Sequence, residues 1–437
     1  MIFKFKTQIN RLCQLKVWII TLLLCLFFEH VTSGQYSNSV FSSDIKTVRL
    51  HKLGWETSTP VLKLGTADQL LFSFDDLSGN SETYNYAIIH CTPDWEETGL
   101  NTTEYVDGFP TNQLLNYKYS YSATYRYVHY ELQLPNSDIS FKLSGNYIIK
   151  VTKAGDDKPI ITRRFYVVDN RVTISPTVKL SHNPNLIDTH QEVNFSIFYP
   201  DLKIDNPRED IKVVVQQNGR EDNKVTNLLP QFIRPNELVY DYTTESSFEA
   251  TNEFRWLDIR TFKYLSERTI KIDYFDPFYH VTITPDFTRD YSSYFLREDF
   301  EGQYVIMVKD RKDPALEADY AFVHLTVPLD APFVKSTSLH AIGEGFGWMP
   351  TPENAFQYNF GNHCYELSVL LKQGVYDYVL GVKEEDSKVI DFKRFEGNYR
   401  MTENNYTIFV YLKGISDNYS QLIGVEIAHS FRNGNNL

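Results

Sequence analysis

The segment 90–94 reads His-Cys-Thr-Pro-Asp and holds three residue types that can bind a metal or pair a nucleophile with its base. His90 and Cys91 end a run that alternates like a strand, so their side chains are expected on opposite faces. Asp94 follows a proline, which fixes the backbone and turns the chain away. We therefore expect a structural histidine and a core cysteine rather than a metal or catalytic site.

Asp75 and Asp76 are consecutive carboxylates at the end of a second strand-like run. Acid–base catalysis needs two carboxyl groups that converge on one bond, at about 5–10 Å. Neighbours at a strand end diverge instead. The run Asp-Asp-Leu-Ser-Gly has the composition of a turn whose aspartates bond their own backbone, and we predict that role.

The segment 252–258 concentrates polar residues on a third strand candidate. Phe254 and Trp256 fall on one face and Arg255 and Leu257 on the other, which predicts a strand covered on both sides. An unpaired buried polar group costs about 1–3 kcal/mol, so these residues should have partners. A satisfied structural network is favoured over a partner-binding face or a catalytic carboxylate with an arginine. The candidate structural or partner-contact residues are Asn252, Glu253, Phe254, Arg255, Trp256 and Asp258.

A glycine-rich segment, 343–348, ends in Trp348 and precedes the run Leu-Lys-Gln-Gly-Val-Tyr-Asp-Tyr, in which the lysine is Lys372. It lacks the Lys-Ser/Thr of a phosphate loop. The combination is similar to small sandwiches appended to glycan-active enzymes, in which a tryptophan and a lysine contact sugar. Secreted glycan binding through Trp348 and Lys372 is therefore the alternative function, although the fold also occurs without that function.

Motifs of common enzymes are missing from the sequence. His-Glu-x-x-His, Gly-x-Ser-x-Gly and paired Cys-x-x-Cys do not occur. We predict no enzymatic activity, no catalytic residues, no metal and no cofactor.

Composition favours extended structure. Aromatic residues make up 15% of the 437 residues, with 30 Tyr and 30 Phe, and these types favour pleated sheets. The formal net charge of −13 argues against nucleic acid and anionic lipid as main partners. The length suggests two or three domains at about 150 residues each.

The first 34 residues are typical of a secretory signal peptide, with basic residues ahead of an apolar core and small residues at its end. No later stretch is apolar enough to span a bilayer as a helix. Processing leaves two cysteines, Cys91 and Cys364. A single long-range disulfide is possible, but two buried free thiols are favoured.

Short strand-like runs separated by turn signals continue along the chain. One such run, Ile211–Gln217, stops at Asn218-Gly219, a strong turn signal. The spacing is typical of an all-β protein with two or three consecutive immunoglobulin-like β-sandwich domains after the signal peptide. Breaks in the pattern place the domains at 35–170, 171–328 and 329–437, the last a small immunoglobulin-like β domain.

Several of these stretches together resemble a known family. They include DIKTVRL (44–50), LLFSFDDLSG (70–79), YAIIHCTPDW (86–95), EYVDGF (104–109), LSGNYIIKV (143–151), ITRRFYVV (161–168), VVVQQNGREDN (213–223), ELVYDY (237–242), NEFRWLDIR (252–260), LLKQGVYDY (370–378) and EGNYRMTENNY (396–406). The chain resembles the plug proteins of the type IX secretion system of Bacteroidota over about residues 44–425.

This resemblance implies a non-enzymatic, periplasmic protein at the inner face of the outer membrane. Its implied partner is the giant outer-membrane translocon barrel, whose periplasmic end it closes until cargo is exported. An open lumen of that width would abolish the permeability barrier. A monomer without a membrane span of its own is expected, and the face that meets the translocon is left open.

Overall fold

The computed structural model describes residues 36–290 and 293–430. The predicted signal peptide, 1–34, lies outside these residues. No helix within the described ranges is long and apolar enough to cross a membrane.

The secondary-structure elements are short strands with four-residue helices between some of them. In the first part of the chain they are β1 Ser39–Val40, β2 Ile45–Lys52, β3 Val61–Lys63, β4 Leu70–Asp76, β5 Tyr84–Cys91, α1 Thr102–Tyr105, β6 Val106–Gly108, β7 Asn112–Gln113, β8 Tyr117–Tyr119, β9 Val128–Leu134, β10 Ile139–Phe141, β11 Gly145–Lys153 and β12 Pro159–Val168. Next come β13 Thr173–Leu180, β14 His190–Phe198, α2 Pro207–Asp210, β15 Ile211–Gln217, β16 Val225–Thr226, β17 Phe232–Arg234, β18 Glu237–Tyr240 and β19 Ser247–Glu249. The remainder are β20 Arg255–Asp258, β21 Thr269–Phe275, β22 Phe278–Ile283, β23 Tyr304–Ile306, α3 Pro314–Glu317, β24 Tyr320–Pro328, β25 Thr337–Ile342, the 3-10 turn Pro352–Asn354, β26 Gln357–Asn359, β27 Cys364–Lys372, β28 Gly374–Glu384, α4 Lys393–Glu396, β29 Asn405–Leu412 and β30 Gln421–His429.

The first sandwich is built from β1 to β12. One sheet has the order β1-β12-β11-β5-β7, with β3 beside β12, and the facing sheet has the order β2-β4-β9-β8. Alternation along β4 places Phe72 and Phe74 in the core between the sheets, where Phe74 stacks on Tyr130 at 5.0 Å. Asp75 therefore points to the outer face of its sheet.

The second sandwich is discontinuous in sequence. Its first sheet has the order β13-β14-β18-β17 with β19 beside β14, and its second has the order β16-β15-β29-β30. Strand β15 pairs along its whole length with β29 near the end of the chain, from Ile211 opposite Leu412 to Gln217 opposite Tyr406. The second sandwich therefore does not end at the expected domain boundary near residue 328, because two C-terminal strands complete the sandwich that begins near residue 171.

The third sandwich is inserted between β19 and β29. One sheet has the order β20-β28-β23 with β25 beside β28, and the other has the order β21-β22-β24-β27-β26. The chain crosses between the sheets at Lys372-Gln373-Gly374. A Cβ at Gly374 would lie 2.3 Å from the Val305 carbonyl oxygen, so this close approach of β23 and β28 requires glycine.

The prediction of an all-β sandwich protein is confirmed. An aromatic contact and a hydrogen bond join the first two sandwiches: Tyr166 of the first stacks on Phe409 of the second at 4.3 Å, and Tyr411 of the second donates to Asn146 of the first at 2.7 Å. Cys91 is buried in the cluster that contains Phe409. Cys91 and Cys364 are both free buried thiols, as favoured from the sequence.

Candidate functional site

The predicted polar stretch lies at the start of the third sandwich. Arg255 begins β20 and pairs with Tyr378 of β28, while Asn252, Glu253 and Phe254 lead into the strand. With Trp256, these residues line one side of a cleft of about 370 Å³. The side chains of the stretch are buried apart from Trp256, which is half-buried.

Arg255 is fully paired inside this cleft wall. Its guanidinium donates to Glu396 through Nε at 2.9 Å, to Asp286 through Nη1 at 3.0 Å, and to the Phe287 carbonyl through Nη2 at 2.9 Å. Burying an arginine is costly unless carboxylates offset its desolvation. Here two carboxylates do so, which is the satisfied network that the sequence favoured.

Two more arginines share the same carboxylates. Arg268 donates to Asp286 at 2.5 Å, and Arg289 donates to Glu396 at 2.7 Å. Burial by itself would raise the pKa of Glu396, but Arg255 and Arg289 lower it overall. Tyr378 donates to the second oxygen of Asp286 at 2.7 Å. The contacts on these carboxylates hold β20, β28 and α4 together.

The other members of the stretch serve separate contacts. Asn252 donates to the Glu396 carbonyl at 2.8 Å, and Asp258 pairs with Arg260 at 2.6 Å. Phe254 meets Trp348 edge-on with ring centroids 6.2 Å apart. Trp256 lies under the Arg297 guanidinium, whose carbon is 5.2 Å from the ring centroid. The six predicted residues therefore do not converge on one reacting position.

Buried carboxylates cluster next to this network. Asp299 accepts the Phe254 backbone N–H at 2.7 Å, and Asp377 accepts the Phe300 backbone N–H. Burial, and then the charge of Asp299, raise the pKa of Asp377 to about 8. Burial likewise raises the pKa of Glu253 to about 7. At pH 7 Asp377 is therefore mostly protonated and Glu253 about half protonated, and both would lose these protons on unfolding.

Asp377→Asn is expected to remove a pH-dependent loss of stability. Because the folded carboxyl has the higher pKa, wild type loses stability as pH rises from about 4 to about 8, and the loss is complete above that range. Urea titrations at pH 5, 7 and 9 measure the free energy of unfolding. The value for the variant minus that for wild type should increase with rising pH, by a few kcal/mol at most. A difference that is constant across these pH values would show that Asp377 is ionised in the folded protein.

The contact between the first and third sandwiches centres on Asp75, for which the turn prediction is wrong. Lys372 Nζ lies 2.6 Å from Asp75 Oδ2, and each side chain is 1% exposed. Tyr320 donates to the same oxygen at 2.6 Å, and the His129 ring is 2.6 Å from Oδ1. The turn role belongs to Asp76, which accepts the Ser78 backbone N–H at 2.8 Å.

The buried position of Lys372 does not suit glycan binding. Its ammonium also donates to the Ala315 carbonyl at 2.7 Å and lies 4.2 Å from the centre of the Tyr127 ring. It therefore offers no exposed group to a sugar hydroxyl. Trp348 packs in a different cluster, with Phe254, so the structure does not bring the two candidate glycan contacts together.

Sequence reasoning passed over the pairing of Asp75 with Lys372, although each residue carried a signal. Both lie at or next to the end of strands whose remaining residues are largely apolar, and a charged group in a covered strand needs a partner. The two residues are 297 positions apart, so the partner of each is not readable from local sequence.

The segment 90–94 behaves as expected. The His90 ring contacts Thr98 at 3.0 Å and the Ser144 carbonyl at 3.2 Å, inside the first sandwich. Cys91 points the other way, toward the second sandwich, and burial raises the pKa of its thiol to about 12. Asp94 pairs with Lys212 at 2.6 Å. Within the described ranges no group of three or more metal-ligating side chains is close enough to hold an ion.

The fold and these sites define a class: a protein of three packed β-sandwiches whose buried ionic groups fasten strands and sandwiches to one another. Residues 45–169, essentially the first sandwich, match the family model described as type 9 secretion system plug protein 1st domain. Through this domain, residues 45–169, the chain is assigned to the type IX secretion system plug family.

A solved structure resembles most of the chain. It is the crystal structure of a hypothetical protein from Parabacteroides merdae, 34% identical, which covers 91% of this chain and 100% of that chain with a TM-score of 0.88. The three-sandwich arrangement is therefore shared over 91% of this chain and the whole of that chain.

A second solved structure shows only a weak likeness to the chain. Trypsin-activated alpha-2-macroglobulin from Escherichia coli is 10% identical, with a TM-score of 0.16, over 90% of this chain and 29% of that chain. That likeness supports no conclusion. No curated protein matches the chain.

Proposed function

We propose that this protein is a periplasmic plug that binds the giant outer-membrane translocon barrel of the type IX secretion system and closes its periplasmic end. The observation that carries the proposal is the match of the first sandwich to the plug family. The protein acts by binding and not by catalysis, and it preserves the permeability barrier until cargo is exported.

The architecture supports this role in a physical sense. A plug must resist deformation across a wide opening, and three sandwiches joined by buried contacts give a broad, stiff body. A standard protein interface buries about 1,600 Å² in total, which three such domains supply easily. Since a plug must leave when secretion begins, its interface should be polar at the rim rather than core-like.

Each sandwich also exposes large apolar side chains that suit a binding surface. Examples are Phe109 and Leu115 in the first sandwich, Phe232 and Ile233 in the second, and Phe275 and Phe360 in the third. Phenylalanine is among the residues enriched at the cores of protein interfaces. The surface that contacts the translocon is expected to include one of these pairs.

Co-isolation tests the proposal directly. Tagged protein is used to retrieve partners from solubilised outer membranes, and the bound proteins are identified by mass spectrometry. Recovery of a very large outer-membrane barrel is expected, and its absence, with an unrelated tagged periplasmic protein as control, would refute the plug function.

Three variants, each with both residues of one pair replaced by serine, then identify the face that contacts the translocon. One double variant should recover at least about tenfold less barrel, since losing interface hot spots costs about 2 kcal/mol or more. The other two serve as matched controls, and all three should keep the wild-type melting temperature because the side chains are exposed. Equal recovery with all three would exclude these side chains as the contact.

A further inference from the structure

The contact between Asp75 and Lys372 has the composition of a site for amide formation between two side chains. A primary amine lies against a carboxyl group, water is excluded, and hydrogen-bond donors surround the carboxyl. We propose that the Lys372 side-chain nitrogen and the Asp75 side-chain carboxyl carbon form an amide bond that links the first and third sandwiches covalently.

Geometry holds the two groups together. Lys372 Nζ is 2.6 Å from Asp75 Oδ2. Lys372 is the last residue of β27 and Asp75 the last but one of β4, and sheet hydrogen bonds fix both strands in place. The lysine is further held by the Ala315 carbonyl and by the Tyr127 ring. Permanent proximity of this kind replaces a bimolecular reaction by a unimolecular one and removes much of its entropic cost.

Burial favours the reactive form of the amine. Desolvation lowers the pKa of Lys372 by more than the attraction of Asp75 raises it. Two buried opposite charges gain little over a neutral pair, because both lose their hydration. On the carboxyl side, burial alone would raise the pKa of Asp75, but Lys372 and His129 lower it overall. Proton transfer from the ammonium to the carboxylate is therefore uphill, and the neutral amine beside a carboxylic acid forms only transiently before the amine attacks.

The carboxyl group is polarised from both sides. His129 approaches Oδ1 at 2.6 Å, and its other ring nitrogen is 3.3 Å from Glu131, a partly exposed carboxylate. Tyr320 donates to Oδ2. Preorganised donors of this kind stabilise the negative charge that develops on oxygen when an amine attacks the carboxyl carbon.

The step balances without any further reactant. The Nζ–Cγ bond forms and the Cγ–Oδ2 bond breaks, and Oδ2 leaves as water with two protons that the Lys372 ammonium supplied. Oδ1 remains as the amide oxygen, where it can accept a hydrogen bond from His129. The reaction occurs once in each molecule, so a slow rate is sufficient.

Other ion pairs in the described part of the chain do not offer this chemistry. The remaining lysines that form ion pairs there are all partly exposed, and water would keep them protonated. The buried pairs of the third sandwich use arginine, whose guanidinium stays charged and is not a nucleophile. Lys372 with Asp75 is the fully buried lysine–carboxylate pair.

Mass spectrometry of the purified full chain under denaturing conditions tests the proposal. Wild type should be lighter than its calculated mass by one water, and its proteolytic digest should contain a branched peptide that joins the segments around Asp75 and Lys372. A full calculated mass, with linear peptides carrying intact Asp75 and Lys372, would overturn the proposal.

Two variants distinguish a loss of water caused by this amide bond from a loss of water elsewhere in the chain. Lys372→Met and Asp75→Ala should each show their full calculated masses. A loss of water that persists in both variants, for example from a cyclic imide at Asp107-Gly108, would also overturn the proposal. The wild-type digest decides the matter even if neither variant folds.

Discussion

Arg255→Ala is expected to lower the free energy of unfolding by about 3–5 kcal/mol. The substitution removes a buried guanidinium and leaves Asp286 and Glu396 with less compensation for their own burial. Arg268 and Arg289 stay in contact with these carboxylates and keep the loss toward the lower end of that range. Urea unfolding and the melting temperature should both record it.

Arg297→Ala is the matched control for Arg255→Ala. Arg297 pairs with Glu267 at 3.0 Å. Since Arg297 is only half-buried and Glu267 is exposed, the pair should contribute no more than about 1 kcal/mol. An Arg255→Ala protein with an unchanged melting temperature and reduced recovery of the translocon would contradict the structural role. It would place Arg255 on the partner-binding face instead.

Lys372→Met is expected to have an effect of similar size, again about 3–5 kcal/mol, because it leaves the Asp75 carboxylate buried without the lysine nitrogen that it contacts in wild type. Methionine preserves most of the side-chain volume, so the loss reports the contact with Asp75 rather than a cavity. The first and third sandwiches should separate more readily, which limited proteolysis at their junction can detect.

The double variant Asp75→Leu with Lys372→Met provides the control. It removes both ionic groups, and it should be more stable than Lys372→Met alone because no unpaired charge remains. Strictly additive losses in this cycle would show that the two side chains do not interact in the folded protein.

Local alternation predicted much of the fold correctly. The strand Ile211–Gln217 appears as predicted and stops at Asn218 and Gly219, which both have positive φ angles of 50° and 73°. Turns of this kind are set by residues adjacent in sequence, so short-range reasoning is sufficient. The opposite orientations of His90 and Cys91 follow from the same local rule.

Local sequence patterns could not predict which distant residues and strands pair. The pairing of β15 with β29 makes the second sandwich discontinuous, and nothing near Ile211 or Leu412 indicates it. The burial of Lys372 is a second example, since its sequence surroundings fit an exposed glycan-binding strand equally well. In both cases the deciding contact comes from a residue far away along the chain.

By itself the sequence determined the all-β class, the sites of many turns, the need of Arg255 for partners and the resemblance to the plug family, because each depends on local pattern or on residue type. Tertiary structure alone decided which strands complete each sandwich and that Asp75 meets Lys372 between two of them. The physical reason is that burial and charge pairing are properties of the packed sheets, and the free energy of a charged side chain depends on which distant group replaces the water it loses.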